Sequence, residues 1–191
     1  EEEYLTQMRD PNNVVEFENL HTYFFTDVGT VKSVNGVSFD VPQGKIVGIV
    51  GESGCGKSVT SLSLMQLVQA PTGQIVEGSI RYKANDGKCY EITKVPRDKM
   101  LKIRGKDISM IFQEPMTSLN PLFTVGNQII ETISKHKGIS GVQARNHAIE
   151  MLRMVRIPSA EIRVNDYPYQ LSGGMRQRVM IAMALSCSPK L

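Results

Sequence analysis

The chain has 191 residues, 41% hydrophobic and 21% charged, with 22 basic against 19 acidic side chains and a formal net charge of +3. That balance suits a folded protein with a sizeable core, and it lacks the dense basic tract of a nucleic-acid footprint, so no nucleic-acid partner is expected. No apolar run approaches the length of a bilayer span, and the EEEY opening carries neither the basic region nor the apolar core of a leader.

In chain order, residues 1–13 read as a frayed or capping lead-in. Residues 14–26 (VVEFENLHTYFFT) have strand character, with Val15, Phe17 and Leu20 as the inward positions. A turn through Gly29 leads to a second strand over 31–41, and Pro42-Gln43-Gly44 turns the chain again. Two strands joined by a tight turn predict a small antiparallel layer.

The next stretch is the apolar run 46–50, then GESGCGKS at 51–58, then a helix predicted over 57–67 with Leu62, Leu64, Met65 and Val68 making its apolar contacts. This is G-x-x-x-x-G-K-S set between a strand and a helix, the context the pattern requires. Gly51, Gly54 and Gly56 let the backbone curl so that the N–H groups of Glu52, Ser53 and Cys55 point inward at an anion. The helix start adds its own unpaired N–H groups and positive end, near Val59 as well. Lys57 then reaches terminal phosphates and the Ser58 hydroxyl takes a place on Mg2+. The expectation is a nucleoside triphosphate site. Cys55, Cys89 and Cys187 are too far apart in sequence for a C-x-x-C arrangement and fit a reducing compartment.

Beyond the first helix come a short strand over 76–82, a polar hairpin or loop over 83–94 around Asp86-Gly87, a short helix over 96–103 and a buried strand over 108–112. Residues 115–121 form a turn-rich link. Helices are predicted over 125–136 and 142–155, the latter with Ala144, Ala148, Met151, Leu152 and Val155 at helical spacing. Residues 158–168 are loop or short helix. Ser172 is the expected N-cap of a helix over 175–186, and Leu191 opens another apolar strand.

Four stretches in this order resemble the nucleotide-binding domain of ABC transporters: the aromatic-bearing strand, GESGCGKS, FQEPMTSLNP at 112–121 and LSGGMRQR at 171–178. The pairing of FQEPMTSLNP with YPYQLSGGMRQRVMIAMAL resembles the dipeptide, oligopeptide and nickel importer branch. The resemblance implies an α/β fold: a RecA-like P-loop core with an antiparallel β subdomain and an inserted helical subdomain. Its parts would be a lead-in at 1–13, the core with its β subdomain and P-loop at 14–113, a helical subdomain at 114–170, and the signature and its helix at 171–191. It implies that Phe24 (or Phe25, beside Tyr23) stacks on adenine, that Gln113 binds Mg2+ and holds the attacking water, and that Ser172, Gly173 and Gly174 touch the γ-phosphate held by a partner domain. Residues 114–123 would lie near the groove that receives a membrane subunit. Arg176 and Arg178 are expected to pair with carboxylates on the helix face.

The implied activity is ATP hydrolysis, with Mg2+, powering import of di- and oligopeptides from the cytoplasmic face of the membrane. The implied partners are a second nucleotide-binding domain, transmembrane permease subunits and, indirectly, an extracellular or periplasmic solute-binding protein. The family's Walker B carboxylates, D-loop and switch histidine come beyond the signature helix, so the native protein is expected to be longer. These 191 residues alone are expected to bind nucleotide weakly and not to hydrolyse it. Without the central strand, 46–50, 108–112 and the helix at 175–186 should expose apolar surface. The branch's C-terminal cysteine cluster has no counterpart here, and no iron–sulfur centre is assigned. Two other readings stay open: a non-hydrolysing nucleotide-gated regulatory module, and a soluble ABC-type ATPase of DNA repair, for which 113–171 has neither heptads nor cysteines.

Overall fold

A computed structural model describes residues 3–114 and 118–191; residues 1–2 of the lead-in and 115–117 of the turn-rich link lie outside the described residues. The chain divides into two compact units, Glu1–Leu101 with Lys190, and Lys102–Pro189 with Leu191.

Alternating apolar residues make the first unit a twisted antiparallel sheet. Its strands are β1 (Leu5–Thr6), β2 (Asn13–Thr26), β3 (Gly29–Pro42), β4 (Gly73–Lys83) and β5 (Cys89–Glu91), in the spatial order β1-β5-β4-β2-β3. Val15, Phe17 and Leu20 on β2 are buried as their spacing predicts, and the Phe17 ring stacks on Phe39 of β3 with centroids 4.3 Å apart. Helix α1 (Lys57–Leu64) comes directly after the glycine-rich stretch, and α2 spans Arg97–Ile103. Helix α1 is shorter than predicted. Gln66 takes a left-handed backbone conformation (φ 50°), and its side-chain amide donates to the Ile92 and Val95 carbonyls, which ends the helix there.

Among the described residues the lead-in is tied down rather than frayed. Leu5 and Thr6 pair with Tyr90 and Cys89, and the next turn is held by the fully buried carboxylate of Glu16. That carboxylate accepts the Arg9 N–H at 2.9 Å, the Asp10 N–H at 2.8 Å and the Asn13 amide at 3.1 Å. Burial works against its charge, yet these donors and the Arg9 guanidinium hold the carboxyl below its ordinary range.

The second unit is helical: α3 (Val125–Lys137), α4 (Gly141–Met154), α5 (Ala160–Arg163), a 3-10 turn (Pro168–Gln170) and α6 (Gly173–Leu185). Ile129, Ile133, Ala148, Leu152, Val179 and Ala182 interlock as its core. Thr124 caps α3 by accepting the Asn127 N–H, and Gly138 ends it in a left-handed conformation.

The two segments expected as strands, 46–50 and 108–112, carry no strand among the described residues. Ile46 is 100% and Val50 96% exposed, and Ile111 and Phe112 are also open. A buried strand needs a ladder partner and a covered face, and Ile46, Val50, Ile111 and Phe112 lack the covered face. Ile108 is buried, however, and Leu191 lies alongside it: the Leu191 N–H donates to the Asp107 carbonyl at 3.2 Å and its carbonyl accepts the Ser109 N–H at 2.8 Å. Those two bonds straddling one residue are the beginning of a parallel ladder. The expected exposure of the last helix is not general, because Val179, Met180 and Ala182 stay buried in the helical core while Leu185 is open.

Candidate functional site

The loop from Gly51 to Gly56 is brought together by its own backbone. The Cys55 N–H donates to the Glu52 carbonyl at 3.3 Å, and Gly54 and Gly56 take positive φ of 82° and 93°. A Cβ on Gly56 would lie 2.1 Å from the Ser33 carbonyl oxygen, so only glycine lets the start of α1 rest against the β3 backbone. Thr60 closes the first turn with both its N–H (2.9 Å) and its hydroxyl (3.0 Å) on the Gly56 carbonyl. One turn further on, Ser63 and Thr22 share a buried hydroxyl–hydroxyl bond of 2.8 Å that anchors α1 to β2. No sequence pattern announces that anchor, because its partners are distant in the chain.

Lys57 folds back over the loop. Its ammonium donates to the Gly51 carbonyl at 2.7 Å and the Glu52 carbonyl at 2.6 Å, and sits 3.5 Å from the Cys55 sulfur. Ser53 and Ser58 are exposed, and the Val59 carbonyl accepts the Ser63 hydroxyl. The result is a positive charge held at the mouth of a tight loop that opens the N-terminus of an eight-residue helix, an arrangement suited to an oxyanion. A cavity of about 600 Å³ adjoins it, walled by Lys32 and Asn35 on one side and Val47 and Ile49 on the other.

Phe24 lies half-buried on β2 opposite Val31 and Gly73, close enough that a Cβ on Gly73 would come within 2.7 Å of its ring. Phe25 is exposed. Tyr23 is engaged elsewhere, its hydroxyl donating to the Asn35 side chain at 2.7 Å with the Lys32 ammonium 5.4 Å from the ring centre.

Gln113 and residues 172–174 belong to the second unit. Gln113 is exposed at a bend, and the neighbouring Glu114 carbonyl accepts the Ser118 hydroxyl at 2.9 Å. Ser172 caps α6 by accepting the Met175 N–H at 3.3 Å. A Cβ placed on Gly173 or Gly174 would meet nothing within 4 Å. The two arginines were expected to pair with carboxylates, and the contacts described for them are to backbone carbonyls. The Arg176 Nε donates to the Pro168 and Leu171 carbonyls, and Arg178 donates to the Arg156 carbonyl at 2.9 Å.

The Ser58 hydroxyl, at the start of α1 in the first unit, and the Gln113 amide, in the second, each offer one neutral oxygen of the kind a hard cation accepts. Among the described residues no group of three or more His, Cys, Asp or Glu side chains could hold a metal by itself.

The family model described as ABC transporter matches residues 34–191, which include both the glycine loop and the serine–glycine turn. The chain belongs to the ABC transporter family. Among curated relatives of this ABC chain, the oligopeptide transport ATP-binding protein AppD of Bacillus subtilis (strain 168) is 50% identical over 94% of the chain and 53% of the relative. The dipeptide transport ATP-binding protein DppD of the same organism is 48% identical over 93% and 52%. The glutathione import ATP-binding protein GsiA of Pectobacterium atrosepticum is 48% identical over 96% of the chain and 30% of the relative. The chain thus spans about half the length, or less, of these relatives. A solved dimeric structure of MJ0796, a bacterial ABC transporter cassette, superposes with a TM-score of 0.77 at 29% identity, covering 92% of this chain and 70% of that one. The likeness places the chain in the α/β RecA-like ABC-ATPase fold, with its antiparallel sheet and helical insertion. No helix among the described residues is long and apolar enough to cross a membrane.

Proposed function

We propose that this chain carries the ATP-binding site of a subunit that hydrolyses ATP to drive peptide import, working at the cytoplasmic face of the membrane with permease subunits and a solute-binding protein. The observation that carries the reading is the Lys57 ammonium held on the Gly51 and Glu52 carbonyls at the start of α1. Phosphate oxygens are stronger partners for an ammonium than amide carbonyls are, so Lys57 is poised to exchange one set for the other. The loop amides from Gly51 to Ser58 supply the remaining donors, with Phe24 as the platform for adenine. In the first unit Ser58 would offer its hydroxyl to Mg2+, which when bound would supply positive charge to the terminal phosphates, and in the second unit Gln113 would offer its amide oxygen to the metal and to the attacking water.

Ser172, Gly173 and Gly174 serve a nucleotide on a second copy or a related domain. Among the described residues neither glycine is required by packing, which supports close approach of something from outside as the reason for having no side chain there. The Ser172 oxygen accepts the Met175 N–H, which leaves its own proton free to donate to an anion. The peptide class of the cargo rests on the names of AppD and DppD, relatives at 50% and 48% identity. Reconstituting the intact subunit with its membrane partners tests the reading. Peptide-stimulated ATP turnover supports it, and turnover indifferent to those partners overturns it.

A further inference from the structure

We infer that Arg176 is the positioning residue of the serine–glycine turn, setting the angle at which Ser172 meets a phosphate; this rests on the proposed nucleotide role of that turn. The Arg176 Nε donates to two carbonyls at once, Pro168 at 2.7 Å and Leu171 at 3.0 Å. Those carbonyls stand at the two ends of the 3-10 turn that delivers the chain to Ser172, and the turn's own closing bond, Leu171 N–H to the Pro168 carbonyl, is 3.1 Å long. The Arg176 main-chain N–H also donates to the Ser172 carbonyl at 2.9 Å. One residue therefore holds Pro168, Leu171 and Ser172 through its side chain and backbone together. A charge-assisted donor on a carbonyl is stronger than a neutral one, and this side chain is only partly exposed.

Gly173 and Gly174 come immediately after, with open space around them. They give the turn no packing support of their own, so its direction depends on what grips it from behind. The grip comes from one helical turn inside α6, where a rigid element carries the guanidinium. In this arrangement Arg176 acts through Ser172.

The test uses the intact subunit and three variants: Arg176→Met, Arg176→Lys and, as a reference for the nucleotide site, Lys57→Ala. Amide exchange of Gly174 and Met175 is measured alongside that of Val179 and Ala182 further along α6. In Arg176→Met the first pair is expected to exchange at least tenfold faster with the second pair unchanged. The kcat for ATP is expected to fall at least tenfold with KM within twofold of wild type. Arg176→Lys, which still offers a cationic donor, is expected to recover part of both effects. Unchanged exchange at Met175, a uniform rise along α6, or a KM effect as large as the kcat effect would overturn the positioning role. Full turnover in Lys57→Ala would instead overturn the nucleotide reading, and the exchange measurement would still decide whether Arg176 holds the turn.

Discussion

The Gly56 α-carbon faces the Ser33 carbonyl so closely that a β-carbon would sit 2.1 Å from its oxygen. This one approach lets α1 begin against β3 and so fixes where the loop amides point. Replacing Gly56 with alanine combines that overlap with a side chain at φ +93°. Strain and overpacking of this kind cost about 2–4 kcal/mol. Chemical denaturation is expected to show a loss of that size, accompanied by loss of nucleotide binding.

Gly173→Ala and Gly174→Ala are expected to behave in the opposite way. With nothing within 4 Å of either position, stability should stay within about 1 kcal/mol of wild type, since alanine is the better helix former. ATP turnover by the assembled protein should fall at least tenfold if, as proposed, the added methyl occupies space meant for a neighbour's phosphate. Parallel denaturation and turnover measurements check the pair of outcomes.

Phe24→Ala is expected to weaken ATP binding by about 1–3 kcal/mol, the range for one aromatic stacked on a base. Phe25→Ala, at an exposed neighbouring site, should change it little. Titration with a fluorescent ATP analogue distinguishes the two.

The chemistry of the glycine loop is legible in consecutive residues, because the loop's shape is set by its own glycines and by the helix it opens. The strand pair 14–26 and 31–41 is equally legible from alternation and a turn at Gly29. The features that escape depend on partners far away in the chain. β1 forms because Leu5 meets Tyr90, and the turn after it is held by Glu16. Helix α1 stops early because Gln66 finds the Ile92 and Val95 carbonyls. The segment 46–50 has the composition of a buried strand, yet composition cannot supply the neighbours that a ladder needs. The arginines after the serine–glycine turn read as surface charges, and their carbonyl contacts depend on the fold of the turn before them.

Glu16 gives the first unit an acid-sensitive point. Its folded pKa lies below the ordinary 4.5, so its contribution to stability is complete above that value and is lost as pH falls through the lowered one. Glu16→Gln keeps the shape but loses the charge that accepts from Arg9 and Asp10. It is expected to lower stability at neutral pH by about 1–3 kcal/mol and to flatten the dependence of the denaturation midpoint on pH below about 4.5. Midpoints measured across that range check both effects.

The most direct test of the central claim is amide exchange over residues 51–59, with and without Mg-ATP, in the wild-type protein and in Lys57→Ala. If Lys57 trades the Gly51 and Glu52 carbonyls for phosphate, nucleotide should protect the loop amides in wild type, and half-maximal protection in Lys57→Ala should need at least tenfold more ATP. Equal protection of both proteins at the same ATP concentration, or protection of neither, would contradict the account.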